Sequence, residues 1–244
     1  KALILLCMMM SMGSFAQTKT EVLDVARKAN EYFMNKWSDP TTPTNFKIAR
    51  ESNLWTRSVY YLGLLALYDQ DPQKHYLDHL DKWGNYHNWE PYKKEYTTFD
   101  ADYMCCGQVY CQRYFLDGKE ERYKKIQKFF NNQIAANYHS GWTWIDAIHM
   151  AMPGFAMMTT ATGNKKYIDF AMKSYRWTRD SCGGNGLFNK EEGLWWRDKN
   201  FVAPYKESDG KNCFWSRGNG WVFVALCRVL NQLQPTDKYY KELL

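Results

Sequence analysis

The spacing of apolar residues predicts a chain built almost entirely from helices. Apolar side chains recur every three or four residues, and almost no stretch alternates apolar with polar residues as a half-buried strand would. Four segments are apolar on most of their faces, and more charged helices such as 123–134 lie between them. The apolar segments are residues 54–68, 102–115, 146–160 and 215–233. An apolar helix followed by a helix with one wet face indicates an inner and an outer layer.

A short signature repeats along the chain: a polar turn leads to a tyrosine and then to an amphipathic helix. These tyrosines are Tyr76, Tyr123, Tyr167 and Tyr239, at intervals of 47, 44 and 72 residues. The first two intervals match one helix-turn-helix unit, and the third contains an insertion of about 27 residues. The pattern predicts an all-α fold, the double-layered (α/α)6 helical barrel. About nine helices can be counted, including one near 21–37, whereas six hairpins need twelve, so a barrel truncated at its C-terminus is expected.

The ends and the charge limit the classes of function. Residues 1–16 combine Lys1, an apolar run and Ser14-Phe15-Ala16, which is typical of a signal peptide and predicts export to the periplasm or the extracellular space. Residues 17–244 would then be the catalytic domain. No later run is long and apolar enough to span a membrane. The net charge of +6 is spread along the chain, which argues against a nucleic-acid partner but permits a small anionic ligand.

Cysteine spacing leaves the pairing open. Beyond Cys7, six cysteines allow fifteen disulfide pairings, and free buried thiols remain an alternative. They are Cys105, Cys106, Cys111, Cys182, Cys213 and Cys227. No Cys or His spacing indicates a metal site, and no motif calls for a cofactor or an obligate protein partner.

Asp146 is the most informative single residue, because it is a carboxylate in a stretch that is otherwise largely apolar or aromatic. If the stretch is helical from Trp142, then Trp142, Asp146 and His149 share one face, and such a face suits a sugar-binding site. A simpler alternative is that Asp146 only caps a helix. The 11 Trp residues and the 17% aromatic content suit stacking on sugar rings, although most large rings serve the core.

A second acid occupies an equivalent place one repeat earlier. Asp100 is predicted to cap a helix, and Asp102 to project from its inner face. Asp102 and Asp146 would then face a common bowl at the N-terminal ends of inner helices. There the helix dipole stabilises the ionised carboxylate while burial opposes it, so the pKa can approach a working value.

The insertion before Tyr239 is rich in Trp, Gly and Arg. Long loops in compact domains usually serve a site, and this one is expected at the mouth of the barrel. Arg217 could bind a carboxylate with both arms of its guanidinium, and Trp221 could stack on the sugar; a surface ion pair is the alternative for Arg217. Trp55, Trp215 and Trp196 are weaker candidates for the pocket wall.

With these motifs the chain resembles the unsaturated uronyl hydrolases of glycoside hydrolase families 105 and 88, and above all the unsaturated rhamnogalacturonyl hydrolases. Three motifs in the same order carry the resemblance, which runs from about residue 53 to the end. They are the Asp102 to Gly107 spacing, Trp144-Ile145-Asp146-Ala147 with Met150-Ala151-Met152-Pro153, and Arg217-Gly218-Asn219-Gly220-Trp221.

The resemblance implies that Asp146 is the general acid and base and that Asp102 is a second essential carboxylate. The acid would protonate the C4–C5 double bond of a terminal 4,5-unsaturated uronic acid, after which water adds at C5, unlike ordinary glycosidases. The expected substrate is a small oligosaccharide with an anionic, unsaturated galacturonyl end, of the kind that polysaccharide lyases leave on pectic rhamnogalacturonan.

The chain departs from the family pattern at Arg197, where many members have His in a Gly-Leu-Tyr-Tyr-His run. Arg197 and His149 are therefore expected to line the sugar pocket and vary with its specificity. Two alternatives stay open: a non-catalytic sugar-binding helical-repeat protein, and another helical-barrel enzyme such as a lyase or an epimerase.

Overall fold

The computed structural model describes residues 17–45, 47–92, 99–137 and 139–244. The predicted signal peptide, residues 1–16, lies outside the described residues. Within them the chain forms ten α-helices, two 3-10 turns and two short hairpins. The helices are α1 (Lys19–Lys36), α2 (Trp55–Gln70), α3 (Lys74–Tyr86), α4 (Ala101–Met104), α5 (Cys106–Asp117), α6 (Glu121–Ala136), α7 (Asp146–Thr162), α8 (Lys166–Asp180), α9 (Ser216–Leu230) and α10 (Tyr240–Leu243).

The helices form two layers, as predicted. Helices α4 and α5 together are one predicted inner helix, since Cys105 between them keeps helical dihedral angles. The inner layer runs α2, α4/α5, α7, α9, with neighbours packed side by side, and α1, α3, α6, α8 and α10 pack outside it. Helix α7 is the most enclosed, because all twelve residues from Ala147 to Met158 are buried. Helix α9 is more open and exposes Phe223 (69%) and Val224 (41%).

The signature tyrosines anchor the outer helices. Tyr76, Tyr123, Tyr167 and Tyr239 are all less than 8% exposed. Two of the preceding inner helices end at Gly118 and Gly163, whose φ angles of 71° and 69° are the left-handed cap conformation that glycine adopts without strain. The repeat therefore encodes a tight turn and a buried ring at the start of each outer helix.

Outer helix α6 approaches the inner layer closely at a glycine. A side chain at Gly107 would lie 2.7 Å from Cγ1 of Ile126, so the absence of a Cβ permits this contact between α5 and α6. Dense packing of this kind fixes the relative position of neighbouring helices. The inner helix that follows Asp102 is thereby held against its outer neighbour.

The described residues contain only short strands. Strand β1 (Thr44–Asn45) pairs antiparallel with β2 (Ala49–Arg50), and β3 (Phe188–Asn189) pairs antiparallel with β4 (Leu194–Trp195). The second hairpin belongs to the predicted insertion. None of the described helices has the length and apolarity of a membrane span. The six cysteines between Cys105 and Cys227 are free thiols, four of them buried.

Candidate active site

The inserted segment is attached by its backbone to the start of α7. Trp144 forms an antiparallel bridge with Asp198, and the Ile145 N–H donates to the Arg197 carbonyl at 3.0 Å. The insertion therefore lies where an inner helix begins, as the sequence predicted, and Arg197 and Asp198 are carried to the N-terminal end of the helix that bears Asp146.

The side chain of Asn219 holds the same segment from the other side. Its Oδ1 accepts the Trp195 N–H at 2.8 Å, and its Nδ2 donates to the Trp195 carbonyl at 3.0 Å and to the Trp215 carbonyl at 3.1 Å. The amide thus pairs with β4 much as a neighbouring strand would. This contact explains why Asn lies in the Arg217-Gly218-Asn219-Gly220-Trp221 motif.

Gly218 brings the first turn of α9 against the start of α7. A Cβ at Gly218 would lie 2.7 Å from Cδ1 of Ile145 and 2.6 Å from Cε3 of Trp215. Because glycine has no Cβ, the two helix starts can approach, and Arg217 reaches the surroundings of Asp146. The first turns of α7 and α9 and the inserted segment therefore enclose one space.

That space is a cavity of about 500 Å³, large enough for a sugar unit. Its lining combines one carboxylate, two guanidinium groups and aromatic rings. The lining residues are Trp144, Asp146, Arg197, Phe201, Cys213, Trp215 and Arg217.

Asp146 is the first residue of α7 and follows the cap residue Ile145, so it is not the helix cap. Its Oδ2 atom is buried and has no hydrogen-bond partner among the described residues. Burial raises the pKa of Asp146, and a hydrogen bond from its own backbone N–H, followed by the positive charges of Arg197 and Arg217, opposes that rise. Burial stabilises the protonated carboxyl, and the nearby cations stabilise the carboxylate that remains after the proton is given up. Such an environment suits a group that both donates and accepts a proton.

Asp102 lies in α4, and Asp100 caps that helix as predicted, accepting the Asp102 N–H at 2.9 Å. Burial raises the pKa of Asp102 to about 7, and the negative charges of Asp100 and Asp146 act in the same direction. Arg50, at the end of β2, opposes the shift. Because Asp146 raises the pKa of Asp102, the two predicted carboxylates lie within electrostatic reach of each other.

The two arginines are held differently. Arg217 is exposed and lies over the ring of Trp215, with 4.4 Å between the guanidinium carbon and the ring centroid. Its side chain forms no ion pair among the described residues, so the surface ion-pair alternative finds no partner there. Arg197 is about half exposed and pairs with Asp198, with 3.0 Å between Nε and Oδ2. Both cations can therefore approach an anion in the cavity.

Other predicted site residues lie outside the cavity lining. His149 is 2% exposed, and its ring centroid is 4.3 Å from that of Trp221. Burial and the charge of Arg228 lower the pKa of His149 to about 4, so its ring is neutral near pH 7. Asp102 and Trp55 are also absent from the described lining, and Trp55 packs against the hydrophobic core.

The prediction that Trp142 shares a helical face with Asp146 and His149 is wrong for Trp142. Trp142 ends a 3-10 turn, Ser140–Trp142, and α7 begins only at Asp146, so the helical spacing does not extend back to Trp142. Trp142 is fully buried, and the cavity is lined instead by Trp144. Sequence reasoning also missed Phe201 and Cys213, since loop residues show no periodicity.

The fold and the cavity define a double-layered helical-barrel protein with an acid and two arginines at the barrel mouth. The sequence model of Glycosyl Hydrolase Family 88 matches residues 25–244, and the chain belongs to this family of glycoside hydrolases.

Three known proteins illustrate the relationship. An unsaturated 3S-rhamnoglycuronyl hydrolase from Alteromonas sp. (strain LOR) is 26% identical over 220 residues, covering 80% of this chain and 51% of that protein. The structure of a glycosyl hydrolase family 88 protein from Bacteroides vulgatus matches with a TM-score of 0.82 and 26% identity, covering 93% of this chain and 65% of that one. A structure described as a polysaccharide lyase matches with a TM-score of 0.81 and 25% identity, covering 92% and 63%. The chain thus spans about half the length of the curated relative.

Replacing Asp102 with Asn is expected to remove a pH dependence of stability. Its folded-state pKa of about 7 exceeds the ordinary value of 3.8. Between these values the folded chain keeps the proton while the unfolded chain releases it. The free energy of unfolding therefore falls as the pH rises through this interval, by on the order of 1–4 kcal/mol. Urea unfolding at several pH values measures the slope, with the exposed Asp69→Asn as control. Equal slopes in the unsubstituted protein and in Asp102→Asn would contradict the assignment.

Replacing Asn219 with Ala is expected to loosen the inserted segment, because three hydrogen bonds to backbone groups are lost. The free energy of local opening of residues 183–214 should fall by ~1–3 kcal/mol, and limited proteolysis within them should be correspondingly faster. The matched control is Asn200→Ala, at an exposed position of the same segment. Unchanged cleavage rates in Asn219→Ala would show that the clamp does not hold the segment.

Proposed function

We propose that the protein is a hydrolase that removes a terminal 4,5-unsaturated uronic acid from lyase-generated oligosaccharides. The observation that carries the proposal is the lining of the cavity, where Asp146 lies with Arg197 and Arg217. A uronate ring needs a cationic partner for its carboxylate and an acid beside its double bond. Family membership and the rhamnoglycuronyl hydrolase activity named for the Alteromonas relative support this assignment.

In the proposed reaction Asp146 donates a proton to C4, and the positive charge that develops at C5 is shared with the ring oxygen. Water adds at C5 and gives up a proton to the ionised Asp146, which restores the acid. The resulting hemiketal opens to a ketone at C5 and leaves the former ring oxygen as a hydroxyl on C1. This C1 hemiacetal collapses to an aldehyde, and the linked sugar leaves with the hydroxyl proton on its bridging oxygen. The net change is the addition of one water molecule and the release of one sugar.

Burial of the Asp146 carboxyl supports its assignment as the acid, because burial favours the protonated form. Its pKa is raised by burial. The ionised form of Asp146 in turn helps to raise the pKa of Asp102 to about 7, because two neighbouring carboxyl groups resist simultaneous ionisation. The pair therefore retains a proton at higher pH than an isolated carboxyl would. We assign Asp102 this electrostatic role as the second essential carboxylate.

The arginines are assigned to the substrate carboxylate. A guanidinium binds a carboxylate through two parallel N–H donors, and Arg217 and Arg197 have donors that are not all engaged within the protein. Because Asp146 and both arginines line one cavity, pairing of the carboxylate with the cations would hold the ring with C4 toward Asp146. Trp215, already packed under Arg217, forms the adjoining wall.

The proposed substrate carries rhamnose next to the unsaturated uronyl ring. Galacturonic and glucuronic acid differ only at C4, and the C4–C5 double bond removes that stereocentre, so the unsaturated ring itself is the same. Rhamnogalacturonan fragments and the rhamnoglycuronyl substrates named for the relative share the rhamnose. Selectivity between them must then depend on the linkage and on substituents of the second sugar. We place the reaction outside the cytoplasm, in keeping with the signal-like residues 1–16.

A neighbouring cavity offers room for the second sugar. Its volume is about 560 Å³, and it shares Trp144 and Arg197 with the cavity that contains Asp146. Its lining also includes Trp177 and Lys199. A sugar linked to C1 of the uronate can therefore leave the first cavity across Trp144 and meet an aromatic ring and a cation in the second.

Lyase chemistry is the second candidate, because one structural match is described as a polysaccharide lyase. A lyase creates the C4–C5 double bond, whereas the proposed hydrolase consumes it. The direction of change in ultraviolet absorbance distinguishes the two reactions. A rise of absorbance on saturated pectic or ulvan-type polysaccharide would favour the lyase.

Replacing Asp146 with Asn is expected to lower kcat/KM for an unsaturated uronyl-rhamnose disaccharide by about 10²–10⁴-fold, the usual contribution of a general acid. The measurement is loss of the ultraviolet absorbance of the double bond, together with circular dichroism to verify folding. Asp209→Asn, at an exposed loop position, serves as the matched control. Unchanged turnover in Asp146→Asn would remove the proposed mechanism.

Replacing Trp177 with Ala is expected to weaken use of the second sugar alone. Turnover of the disaccharide should fall about tenfold in kcat/KM, equivalent to ~1.4 kcal/mol. Turnover of an unsaturated uronide with a small aryl leaving group should not change. Equal losses on both substrates would show that Trp177 supports the fold rather than a subsite.

A further inference from the structure

A buried glutamine joins the inner helices beneath the cavity. Gln108 lies on α5, six residues after Asp102, and is completely buried. Its Nε2 donates to the His149 carbonyl at 2.7 Å and to the Met150 carbonyl at 3.1 Å, both near the start of α7. A side chain from the Asp102 helix is thus bound directly to the backbone of the Asp146 helix.

Pro153 explains why this contact is needed. Proline has no N–H, so residue 153 cannot donate the helical hydrogen bond to the His149 carbonyl four residues earlier. A buried carbonyl without a donor is costly, and nearly all such groups in proteins are paired. The Gln108 amide supplies the missing donor from the neighbouring helix.

The same amide also reaches the third helix of the site. Its Oε1 accepts a hydrogen bond from Nη1 of Arg228 at 3.3 Å. Arg228 lies on α9, which carries Arg217 in its first turn. The three inner helices that supply Asp102, Asp146 and Arg217 therefore meet at one fully buried side chain.

We propose that Gln108 is a positioning residue that fixes the first turn of α7, and with it the Asp146 carboxyl, relative to the substrate. This role rests on the proposed function. Asp146 is three residues before His149, so a shift of the His149 carbonyl moves the turn that bears the acid. Gln108 itself lies outside the described lining of the cavity and acts through α7.

The test replaces Gln108 with Met, which has similar length but no donor. In the full chain, kcat on the unsaturated disaccharide should fall about 10- to 100-fold, because small displacements of a catalytic group are expensive, while KM changes little. Adding Pro153→Ala should restore most of the lost kcat, since the alanine introduced there again has an N–H for the His149 carbonyl. The Pro153→Ala change alone should leave kcat nearly unaltered.

Gln133→Met is the matched control. Gln133 is also completely buried, but its amide has no hydrogen-bond partner among the described residues. If kcat fell as much in Gln133→Met as in Gln108→Met, the loss would follow from replacing any buried glutamine. That result would overturn the inference. A rise in KM at constant kcat, or a double variant whose loss is the product of the single losses, would also overturn it.

Urea unfolding of the unsubstituted protein, the two single variants and the double variant measures the contact without substrate. Non-additive shifts of the unfolding midpoints in the Gln108 and Pro153 variants would support the contact between α5 and α7, even if the unsubstituted protein showed no turnover. Absence of turnover with coupled midpoints would refute the proposed function alone. Additive midpoints would refute the Gln108 contact, whatever the activity.

Discussion

The structure of the site depends on the backbone pairing between the start of α7 and the inserted segment. The Trp144–Asp198 bridge and the hydrogen bond from Ile145 to Arg197 carry a loop of more than thirty residues onto the helix that bears Asp146. Without this pairing Arg197 would have no fixed relation to the acid. Asn219 adds a second attachment from α9, so the cavity has a rigid wall although most of that wall is loop.

The proposed chemistry depends on opposed effects on the pKa of one carboxyl group, that of Asp146. Burial favours the protonated form of Asp146, whereas a hydrogen bond from its own backbone N–H and the charges of Arg197 and Arg217 favour the ionised form. A general acid must give up its proton and regain it, so neither effect can dominate completely. In the proposed reaction the arginines would also bind the anionic substrate, whose own negative charge would then offset their effect on Asp146. Substrate binding is therefore expected to raise the pKa of Asp146, so that Asp146 is protonated when the double bond is to be protonated.

The sequence was sufficient to predict the helical layers, because apolar spacing and the repeated tyrosine signature are patterns among residues that are close in sequence. It also identified Asp146, Arg197, Arg217 and Trp215, which the cavity brings together. It did not identify Trp144 in place of Trp142, since that choice depends on where α7 begins. The roles of Asn219 and Gln108 were equally hidden, because each depends on contacts between segments that are distant in sequence.

The most direct test of the central claim is a crystal structure of the Asp146→Asn variant with an unsaturated uronyl-rhamnose disaccharide. We expect the uronate carboxylate to contact Arg217 or Arg197 and C4 to lie about 3–3.5 Å from the side chain of residue 146, the separation of reacting atoms. A ligand bound with its double bond directed away from residue 146, or bound outside this cavity, would contradict the assignment of Asp146 as the acid.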